Sequence, residues 1–442
     1  MKGLKRKRDK RAGQAEDPMV REVARMEGGN AGNEGTGVVE EGEGEVVARI
    51  HQLASNGDGL GRVQGSGAVV VVPFTLPEEV VACRVYRHMG SYSLADLLHV
   101  TQPSPSRMAA ACKYFGRCSG CQLQHMPYPA QLLFKRSVVV DALSVLRDKP
   151  APEETVRSPA TYAYRTKITP HFDLPRRVQE RTLPAIGFQE KGRRRTMDIE
   201  ECPIATPALN LGLTEERKRV AQRLESFKRG ATLLLRESTT QGEKECITDS
   251  KAIVREEINN LTFHFPAGSF FQNNSSVLPR LVEHIRACLH PPTPNLVDAY
   301  CGSGLFSVAC APLFTHVYGV EISQESVTFA ERNAKANACT NLRFTVGDAG
   351  DIFGDLPCGG DDSSVIIDPP RKGCSEPFLQ QLLHFRPRKI VYVSCNVRSQ
   401  ARDLAYMETQ GGWRIERVTP FDLFPQTAHV ESVAVLTRSM YI

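Results

Sequence analysis

A cysteine and an aspartate that each follow a short apolar segment are the residues most suited to chemistry in this sequence. The β-branched residues of 390–393 predict a strand, and Cys395 comes just after it. Residues 365–367 predict another strand, which ends at Asp368. Open α/β sheets bind ligands at the carboxyl ends of their strands, so both side chains should lie at one edge. A thiol and a carboxylate there indicate a nucleophile beside a group that orients a ring, although a small buried Cys395 fits the strand equally.

Four other cysteines have the spacing of ligands. Cys112, Cys118 and Cys121 lie in the run CKYFGRCSGCQLQH, and Cys202 follows much later in the chain. Glycines between the first three let the backbone wrap a bound group. Four thiolates hold either a zinc ion or an iron–sulfur cluster, and the spacing does not choose between the two.

A glycine-rich turn and two acids predict a cofactor site. The apolar strand predicted at 296–299 runs into the turn YCGSG at 300–304, whose glycines let the backbone approach a ligand closely. A second predicted strand ends in Glu321, which suits ribose hydroxyls, and a third ends at Asp348, placed to meet an adenine. The turn has no third glycine and no basic residue for a pyrophosphate. It therefore favours S-adenosylmethionine over a dinucleotide.

The elements that must position these groups alternate between strand and helix from residue 266 to residue 442, which predicts a doubly wound sheet. A central domain is predicted at 107–265, with helices at 128–146 and 213–228 and a strand at 231–236. The fold class is therefore α/β, with a C-terminal Rossmann-like domain and a small α+β central domain before it.

Residues 46–106 predict a third folded region. Short β-like runs are separated by the glycine turns at 57–59 and 65–67, and four or five such strands suggest a small closed barrel of the oligonucleotide-binding type. This region resembles the TRAM domain at the front of several RNA-modifying enzymes. Fold alone does not establish RNA binding.

Basic residues alternate with aromatic ones in the central domain. The run YAYRTK places Tyr162, Tyr164, Arg165 and Lys167 on an apparent strand. Further basic residues follow at Arg176, Arg177, Arg181, Lys191, Arg193, Arg194 and Arg195. The pattern predicts a surface that contacts phosphates and stacks bases, with a solvated charged face as the alternative.

Residues 1–45 are predicted to be a disordered tail. A basic block at 2–11 (KGLKRKRDKR) precedes a Gly- and Glu-rich segment, and neither offers enough apolar surface to bury. We interpret the basic block as a nuclear localisation signal or an RNA-contacting arm, with a purely solubilising tail as the alternative.

Composition restricts the class of protein. The 13 cysteines are an odd number and no secretory signal is present, which predicts a reducing compartment instead of a disulfide framework. No apolar run is long enough to cross a bilayer. We therefore expect an intracellular monomer without a membrane segment, in the cytoplasm, the nucleus or the mitochondrion.

From about residue 46 onwards the chain resembles the RNA uracil-C5 methyltransferase family. The motifs that carry the resemblance are CKYFGRCSGCQ, AGSFFQNN, DAYCGSGLF, IIDPPRKG, VYVSCN and PQTAHVESVAVL. They are most similar to the fungal-type tRNA enzymes that make ribothymidine in the T-loop, with bacterial ribosomal-RNA members next. The resemblance implies methylation of a uridine in structured RNA, in a tRNA T-loop or alternatively in ribosomal RNA. The target base must leave its stack, which suits a loop.

The chemistry of this family explains the residue types. C5 of uracil is too poor a nucleophile to take a methyl group until a thiolate adds at C6. The resemblance implies that Cys395 is that thiolate and that Glu431 removes the C5 proton afterwards. A free thiol has a pKa of ~8.5, so the site must assist its ionisation. Glu431 lies on an apolar segment, which predicts a raised pKa.

The family also implies ligand-binding residues. For S-adenosylmethionine these are Gln272, Tyr300, Glu321, Asp348 and Asp368. Asp368 should also lie near enough to Cys395 to contact the uracil. Leu305 departs from the family pattern, because many bacterial members carry an asparagine there, near the cofactor. The four clustered cysteines, Cys112, Cys118, Cys121 and Cys202, correspond to the ligands of a [4Fe-4S] cluster in ribosomal-RNA members.

Two other functions compete with this interpretation. Amino-methyltransferases that act on adenine also carry a DPP motif, but they need an aromatic residue after the prolines, where this chain has Arg371. They would need neither Cys395 nor Glu431. The other rival is a non-catalytic RNA-binding or assembly factor, which the intact Cys395, Glu431, Gln272 and glycine-rich turn disfavour.

Overall fold

The computed structural model describes residues 18–28, 44–148, 150–175, 182–240, 242–347, 352–354 and 356–438. Several residues singled out above lie outside these ranges, namely the basic block 2–11, Arg176, Arg177, Arg181 and Asp348. Their roles stay predictions. The chain separates into two compact units, Met1–Met108 and Ala109–Ile442.

The first unit is a closed five-stranded barrel, which confirms the predicted fold of this region. Its strands are β1 (Val46–Leu53), β2 (Gly59–Val63), β3 (Val69–Val72), β4 (Val80–His88) and β5 (Ser93–Gln102), hydrogen-bonded in the order β1-β2-β3-β5-β4. Apolar residues such as Ile50, Val70 and Val81 fill its interior. Closure removes the exposed strand edges that an open sheet of this size would present.

A helix in the N-terminal segment corrects the prediction that all of residues 1–45 are disordered. Helix α1 (Pro18–Gly28) places Val23 in a buried cluster with Leu60 and Val71 of the barrel. Its Glu22 carboxylate accepts a hydrogen bond of 3.0 Å from the backbone N–H of Ser55. The apolar residues at 19, 20, 23 and 26 recur at helical spacing, a signal that the surrounding Gly- and Glu-rich composition concealed.

The second unit begins with short strands and two longer helices. The strands are β6 (Lys167–Ile168), β7 (His171–Asp173), β8 (Gly187–Gln189), β9 (Thr196–Asp198), β10 (Gly230–Thr232), β11 (Leu235–Thr240), β12 (Glu243–Ile247), β13 (Ile253–Ile258) and β14 (Leu261–Pro266). They form small sheets in the orders β10-β7-β8-β9, β12-β11-β6 and β13-β14. The helices are α2 (Tyr128–Leu143) and α3 (Pro207–Gln222).

Two predicted boundaries in this region are wrong. Helix α3 begins at Pro207 and ends at Gln222, whereas 213–228 was expected. Proline fits the first helical position, where its missing N–H leaves no hydrogen bond unmade. The strand expected at 231–236 is two strands, β10 and β11, which belong to different sheets.

A seven-stranded sheet forms the C-terminal part of the chain. Its strands are β15 (Asn295–Ala299), β16 (His316–Glu321), β17 (Leu342–Val346), β18 (Ser363–Ile367), β19 (Lys389–Ser394), β20 (Trp413–Phe421) and β21 (Glu431–Arg438), in the order β17-β16-β15-β18-β19-β21-β20. Helix α4 (Leu278–Cys288) precedes its first strand, and the helices that follow its strands are α5 (Leu305–Cys310), α6 (Gln324–Ala336), α7 (Glu376–Phe385) and α8 (Val397–Gly411). None of the helices within the described ranges combines the length and the apolar character needed to span a bilayer.

Both faces of this sheet are buried, which explains the nearly continuous apolar sequence of its strands. Ile366 and Val391 belong to one core cluster, while Val365, Ile367 and Tyr392 belong to a cluster on the other face. Successive side chains of a strand point to opposite faces, so a strand covered on both sides needs apolar residues at every position. The doubly wound fold is confirmed.

Candidate active site

A cavity of about 1150 Å³ lies where the parallel strands end. It is lined by six residues identified from the sequence: Gln272, Tyr300, Glu321, Asp368, Cys395 and Glu431. The four clustered cysteines line the same cavity. Asp348 lies outside the described residues. The structure therefore brings the predicted nucleophile, base and cofactor residues to one place.

The strand register places Cys395 beside Glu431. Strands β19 and β21 are antiparallel, and Ser394 pairs with Ser432 at the end of the ladder. Cys395 directly follows Ser394 and Glu431 directly precedes Ser432, so the two residues lie at the same end of the ladder, and the charge of Glu431 acts on the Cys395 thiol.

Glu431 is buried without a hydrogen-bond partner. Its side chain is 1% exposed, and neither carboxylate oxygen bonds to another described residue. Burial raises the pKa of Glu431 well above its usual value, and the neighbouring Asp368 raises it further, while Arg371 opposes the shift. Protonation stabilises a carboxylate in such surroundings. Glu431 therefore accepts a proton readily, as a general base must.

The Cys395 thiol is held in its protonated form in this structure. Burial raises its pKa to about 11, and the charges of Glu431 and Asp368 contribute to the rise. Arg371 acts in the opposite direction, through its charge and a hydrogen bond to the thiol. The site was expected to assist ionisation of the Cys395 thiol. Among these neighbours, only Arg371 acts in that direction.

Arg371 is a residue whose role the sequence reasoning missed. Its carbonyl oxygen accepts hydrogen bonds from Asn396 Nδ2 at 2.9 Å and from Ser399 Oγ at 3.1 Å. These bonds tie the DPPR segment to the start of helix α8, directly after Cys395. The sequence feature that could have revealed this role is the position of Arg371, three residues after Asp368 and so at the same edge of the sheet.

Two acids that come from neighbouring strands have raised pKa values. Asp368 has its pKa raised to about 7 by burial and by Asp298. Asp298 is fully buried, and burial raises its pKa to about 7 although Ser307 Oγ donates a hydrogen bond of 2.5 Å to it. The charge of this part of the cavity therefore depends on pH near neutrality.

The glycine-rich turn presents backbone groups around Glu321. The Glu321 carboxylate accepts hydrogen bonds from the N–H of Gly302 at 3.2 Å and of Ser323 at 2.9 Å. Tyr300 and Gly302 have φ angles of 64° and 54°, and Gly302 meets no other atom where a Cβ would stand. The turn thus leaves room for a ligand beside a carboxylate held in fixed orientation.

Gln272 is buried at 6% exposure in the segment that precedes helix α4. The next residue, Asn273, accepts a hydrogen bond of 3.1 Å from the fully buried Arg236. Asn274 Nδ2 donates to the carbonyl oxygen of Leu423 at 3.0 Å. The two asparagines therefore fix the backbone on one side of the Gln272 side chain.

The four clustered thiols are neighbours in the structure. Cys121 interacts electrostatically with Cys112, Cys118 and Cys202, and burial raises the pKa of the Cys118 thiol to about 11. Across the described ranges, no group of three or more His, Cys, Asp or Glu side chains is arranged to hold a metal ion. Four thiols are the right kind and number of donors for an iron–sulfur cluster.

One residue of the predicted base-stacking surface is assigned wrongly. Tyr164 is 3% exposed and donates a hydrogen bond of 2.9 Å to the carbonyl oxygen of Pro425, so it cannot stack on RNA. Arg195 is exposed and forms an ion pair with Glu190, which Arg117 shares. Arg165 lines the cavity and is the basic residue of this run nearest to the site.

Comparison with families gives two matches. A model described as tRNA (Uracil-5-)-methyltransferase matches residues 212–352 and 361–439. A model of the TRAM domain matches residues 42–98.

Individual relatives are similar over most of the chain. The tRNA (uracil(54)-C(5))-methyltransferase of Schizosaccharomyces pombe is 48% identical over 413 residues, which cover 89% of this chain and 78% of the relative. The Saccharomyces cerevisiae protein of the same name is 40% identical over 481 residues, which cover 90% of this chain and 75% of that relative. The crystal structure of a Pyrococcus abyssi tRNA (uracil-54, C5)-methyltransferase in complex with S-adenosyl-L-homocysteine has a TM-score of 0.66 and 25% identity, covering 88% of this chain and 100% of that one.

Proposed function

Because the chain belongs to the tRNA (uracil-5-)-methyltransferase family, we propose that it methylates C5 of uridine 54 in tRNA, with S-adenosylmethionine as the methyl donor. Both fungal relatives are named for position 54 of tRNA, which favours tRNA over ribosomal RNA. The TRAM match supports RNA as the partner. The monomeric state and the compartment stay predictions.

The observation that carries the proposal is that Cys395 and Glu431 lie close enough to interact electrostatically and line one cavity with the predicted cofactor residues. A nucleophile and a base that act on adjacent ring carbons must approach the same uracil from positions a few ångströms apart. Neither residue would be required by an amino-methyltransferase.

The first step is addition to the ring. Cys395 loses its thiol proton to water, its Sγ forms a bond to C6 of uracil, and the C5–C6 π electrons pass into the enolate. Arg371 stabilises the sulfur as the proton is lost. A protonated Glu431 or Asp368 would not repel the thiolate, and burial favours the protonated form of both acids by raising the pKa of Glu431 well above its usual value and that of Asp368 to about 7.

The later steps restore the aromatic ring. S-adenosylmethionine, when bound, supplies the methyl group that C5 takes. Glu431 in its carboxylate form then removes the proton from C5, the electron pair of that C–H bond re-forms the C5–C6 double bond, and Cys395 leaves as a thiolate. The raised pKa of Glu431 makes the carboxylate a stronger base at this moment.

The chain's own residues position the donor. Glu321, oriented by two backbone N–H groups, keeps lone pairs for ribose hydroxyls. Gln272, Tyr300 and Asp368 line the same cavity and would bind the remainder of the molecule. Asp368 also faces the nucleophile and would contact the uracil.

A [4Fe-4S] cluster held by Cys112, Cys118, Cys121 and Cys202 is part of the proposal. The four thiols line one cavity and interact with each other, which supports it. Protein purified without oxygen should contain iron and sulfide and absorb visible light. Zinc without iron in that preparation would contradict the cluster. Because no step of the reaction uses it, Cys112→Ala should impair folding or RNA binding more than methyl transfer.

A tRNA T-loop with 5-fluorouridine at the target position tests the covalent mechanism. Addition of Cys395 and methylation both proceed, but Glu431 finds no C5 proton and fluorine cannot leave as a cation. A protein–RNA adduct that survives denaturing electrophoresis should accumulate, and Cys395→Ala should abolish it. With ordinary uridine, Glu431→Gln should accumulate a similar adduct.

Two outcomes would reject this proposal. Full methyl transfer by Cys395→Ala would exclude covalent catalysis and revive the amino-methyltransferase. Tight RNA binding without methylation of any tRNA would indicate a binding factor. Transcripts with the T-loop uridine changed to cytidine serve as the matched RNA control.

A further inference from the structure

The connection between β20 and β21, residues 422–430, is unusually well buried for a loop. We refer to it as the base loop, because Glu431 follows it directly. Asp422, Leu423 and Gln426 are at most 3% exposed. Loops normally run over the surface, since buried backbone groups need hydrogen-bond partners. The base loop must therefore receive such partners from elsewhere in the second unit.

Helix α2 supplies the first set. Lys135 and Asp422 form an ion pair with both side chains fully buried. Lys135 Nζ also donates a hydrogen bond of 2.9 Å to the carbonyl oxygen of Phe424. One helix residue thus binds both a side chain and the backbone at the start of the base loop.

Gln131, one turn earlier on α2, forms a reciprocal pair with Gln426. Gln131 Nε2 donates to Gln426 Oε1 at 2.9 Å, and the backbone N–H of Gln426 donates to Gln131 Oε1 at 3.0 Å. Gln426 has a φ angle of 70°, a conformation that costs a non-glycine residue on the order of 1–3 kcal/mol. The amide pair stabilises the base loop in this strained turn.

The segment that follows the clustered cysteines supplies a second set. The backbone N–H groups of Gln122 and Leu123 donate to the Gln426 carbonyl oxygen at 3.1 and 3.0 Å. The N–H of Ala428 donates to Gln122 Oε1 at 3.2 Å. Gln131 Nε2 also donates to the carbonyl oxygen of Leu123 at 3.1 Å. Gln131 therefore joins the cysteine segment to the base loop.

Glu431 depends on these contacts because its carboxylate has no hydrogen bond of its own among the described residues. Its position is set by the backbone, through its pairing with Phe421 and through the base loop before it. Addition by Cys395 uses the end of β19 and the neighbouring Arg371, and does not use the Glu431 carboxylate. Proton removal needs Glu431 at a defined distance from C5, and a misplacement of about 1 Å can cost ~100-fold in rate.

We propose that Gln131 and Gln426 are positioning residues for proton removal by Glu431, and that the segment after Cys121 supports the same step through Gln426. This inference rests on the proposed function. It assigns to the cysteine segment a mechanical role in the second half of the reaction.

Gln131→Met and Gln426→Gly test it. Methionine keeps the volume of Gln131 without its amide, and glycine removes the Gln426 side chain while it relieves the positive φ. Both variants should accumulate the covalent adduct on ordinary uridine, with release slowed about 10- to 100-fold. Adduct formation on 5-fluorouridine should change less than about threefold, because it does not need Glu431. Asn341→Ala is the matched control, since it removes an amide that bonds two backbone carbonyls elsewhere.

Comparing adduct formation with adduct release distinguishes a specific effect on the position of Glu431 from a general loss of folded enzyme. Equal losses in adduct formation and in release, or release at the wild-type rate, would overturn the inference. A wild-type enzyme that forms no adduct with 5-fluorouridine would instead reject the proposed function, and this measurement precedes the others. A release rate in Gln131→Met/Gln426→Gly close to that of either single variant would show that the two residues act as one pair.

Discussion

Asp368 raises the pKa of Glu431 across the cavity, in addition to the effect of burial. The two carboxyls come from β18 and β21, which lie on opposite sides of β19 in the sheet. Each therefore influences the protonation of the other, and the nucleophile lies between the strands that carry them. This relationship makes the release step sensitive to pH.

Asp368→Asn should shift the pH dependence of release to lower pH. Glu431 acts as a base only when ionised, so release slows as the pH falls through its raised pKa. Without the Asp368 charge that pKa is lower, and release should persist in more acidic buffer. The decay of the covalent adduct, measured between pH 5 and pH 9 in single-turnover experiments with saturating donor, reports this shift. An unchanged profile would contradict the coupling.

Asp298→Asn should alter the pH dependence of stability. The folded pKa of Asp298 is about 7, above its usual value of 3.8. Between these values the unfolded chain loses its proton while the folded chain keeps it, so wild-type stability falls as the pH rises from 4 to 7 and then levels off. A pKa difference of about three between the folded and the unfolded chain corresponds to a change of roughly 4 kcal/mol in the free energy of unfolding. Thermal unfolding of both proteins across this range should show the variant gaining relative stability as the pH rises.

Lys135→Met should destabilise the second unit strongly. The change leaves Asp422 charged and buried without its partner, which typically costs about 3–5 kcal/mol. The double variant Lys135→Met/Asp422→Asn should lose less stability than Lys135→Met, because it leaves no unpaired buried charge. Urea unfolding of both variants can be followed by the fluorescence of Trp413, which is buried at the start of β20 in the seven-stranded sheet. A double variant less stable than Lys135→Met would refute the argument.

Val23→Ala tests whether α1 is part of the barrel unit. The change removes two buried methyl-sized groups at ~0.8 kcal/mol each, so the loss should be about 1.5 kcal/mol. Hydrogen exchange should accelerate in β2 and β3, which carry the contacted residues Leu60 and Val71. The exposed Val47 of β1 provides the control, and Val47→Ala should leave exchange unchanged.

The sequence predicted the parts of the site that follow from local pattern. Strands with apolar residues at every position end at Asp368 and beside Cys395, and the structure brings both to one cavity. The family resemblance drawn from the motifs is confirmed by the family match and the fungal relatives. The roles of Cys395 and Glu431 stay proposals that the experiments above test.

Other features leave no local signal. Gln131 and Gln426 are 295 residues apart in the chain, and an isolated glutamine looks the same whether it faces water or a buried amide. Tyr164 was assigned to an RNA surface from its basic neighbours, yet its hydroxyl is used inside the protein. Polar residues that stabilise a buried loop can be recognised only when the loop's backbone partners are known.

The order of strands also bears on how this enzyme is made. Strand β21 lies between β19 and β20 but is synthesised after both. At about 5–20 residues per second, the ribosome needs roughly 2–7 seconds to pass from Cys395 to Glu431. During that interval the nascent sheet has two unpaired interior edges, and Cys395 lacks the carboxylate that completes the reaction. A newborn chain can therefore neither complete a catalytic cycle nor protect those edges, and we expect it to depend on chaperones until β21 inserts.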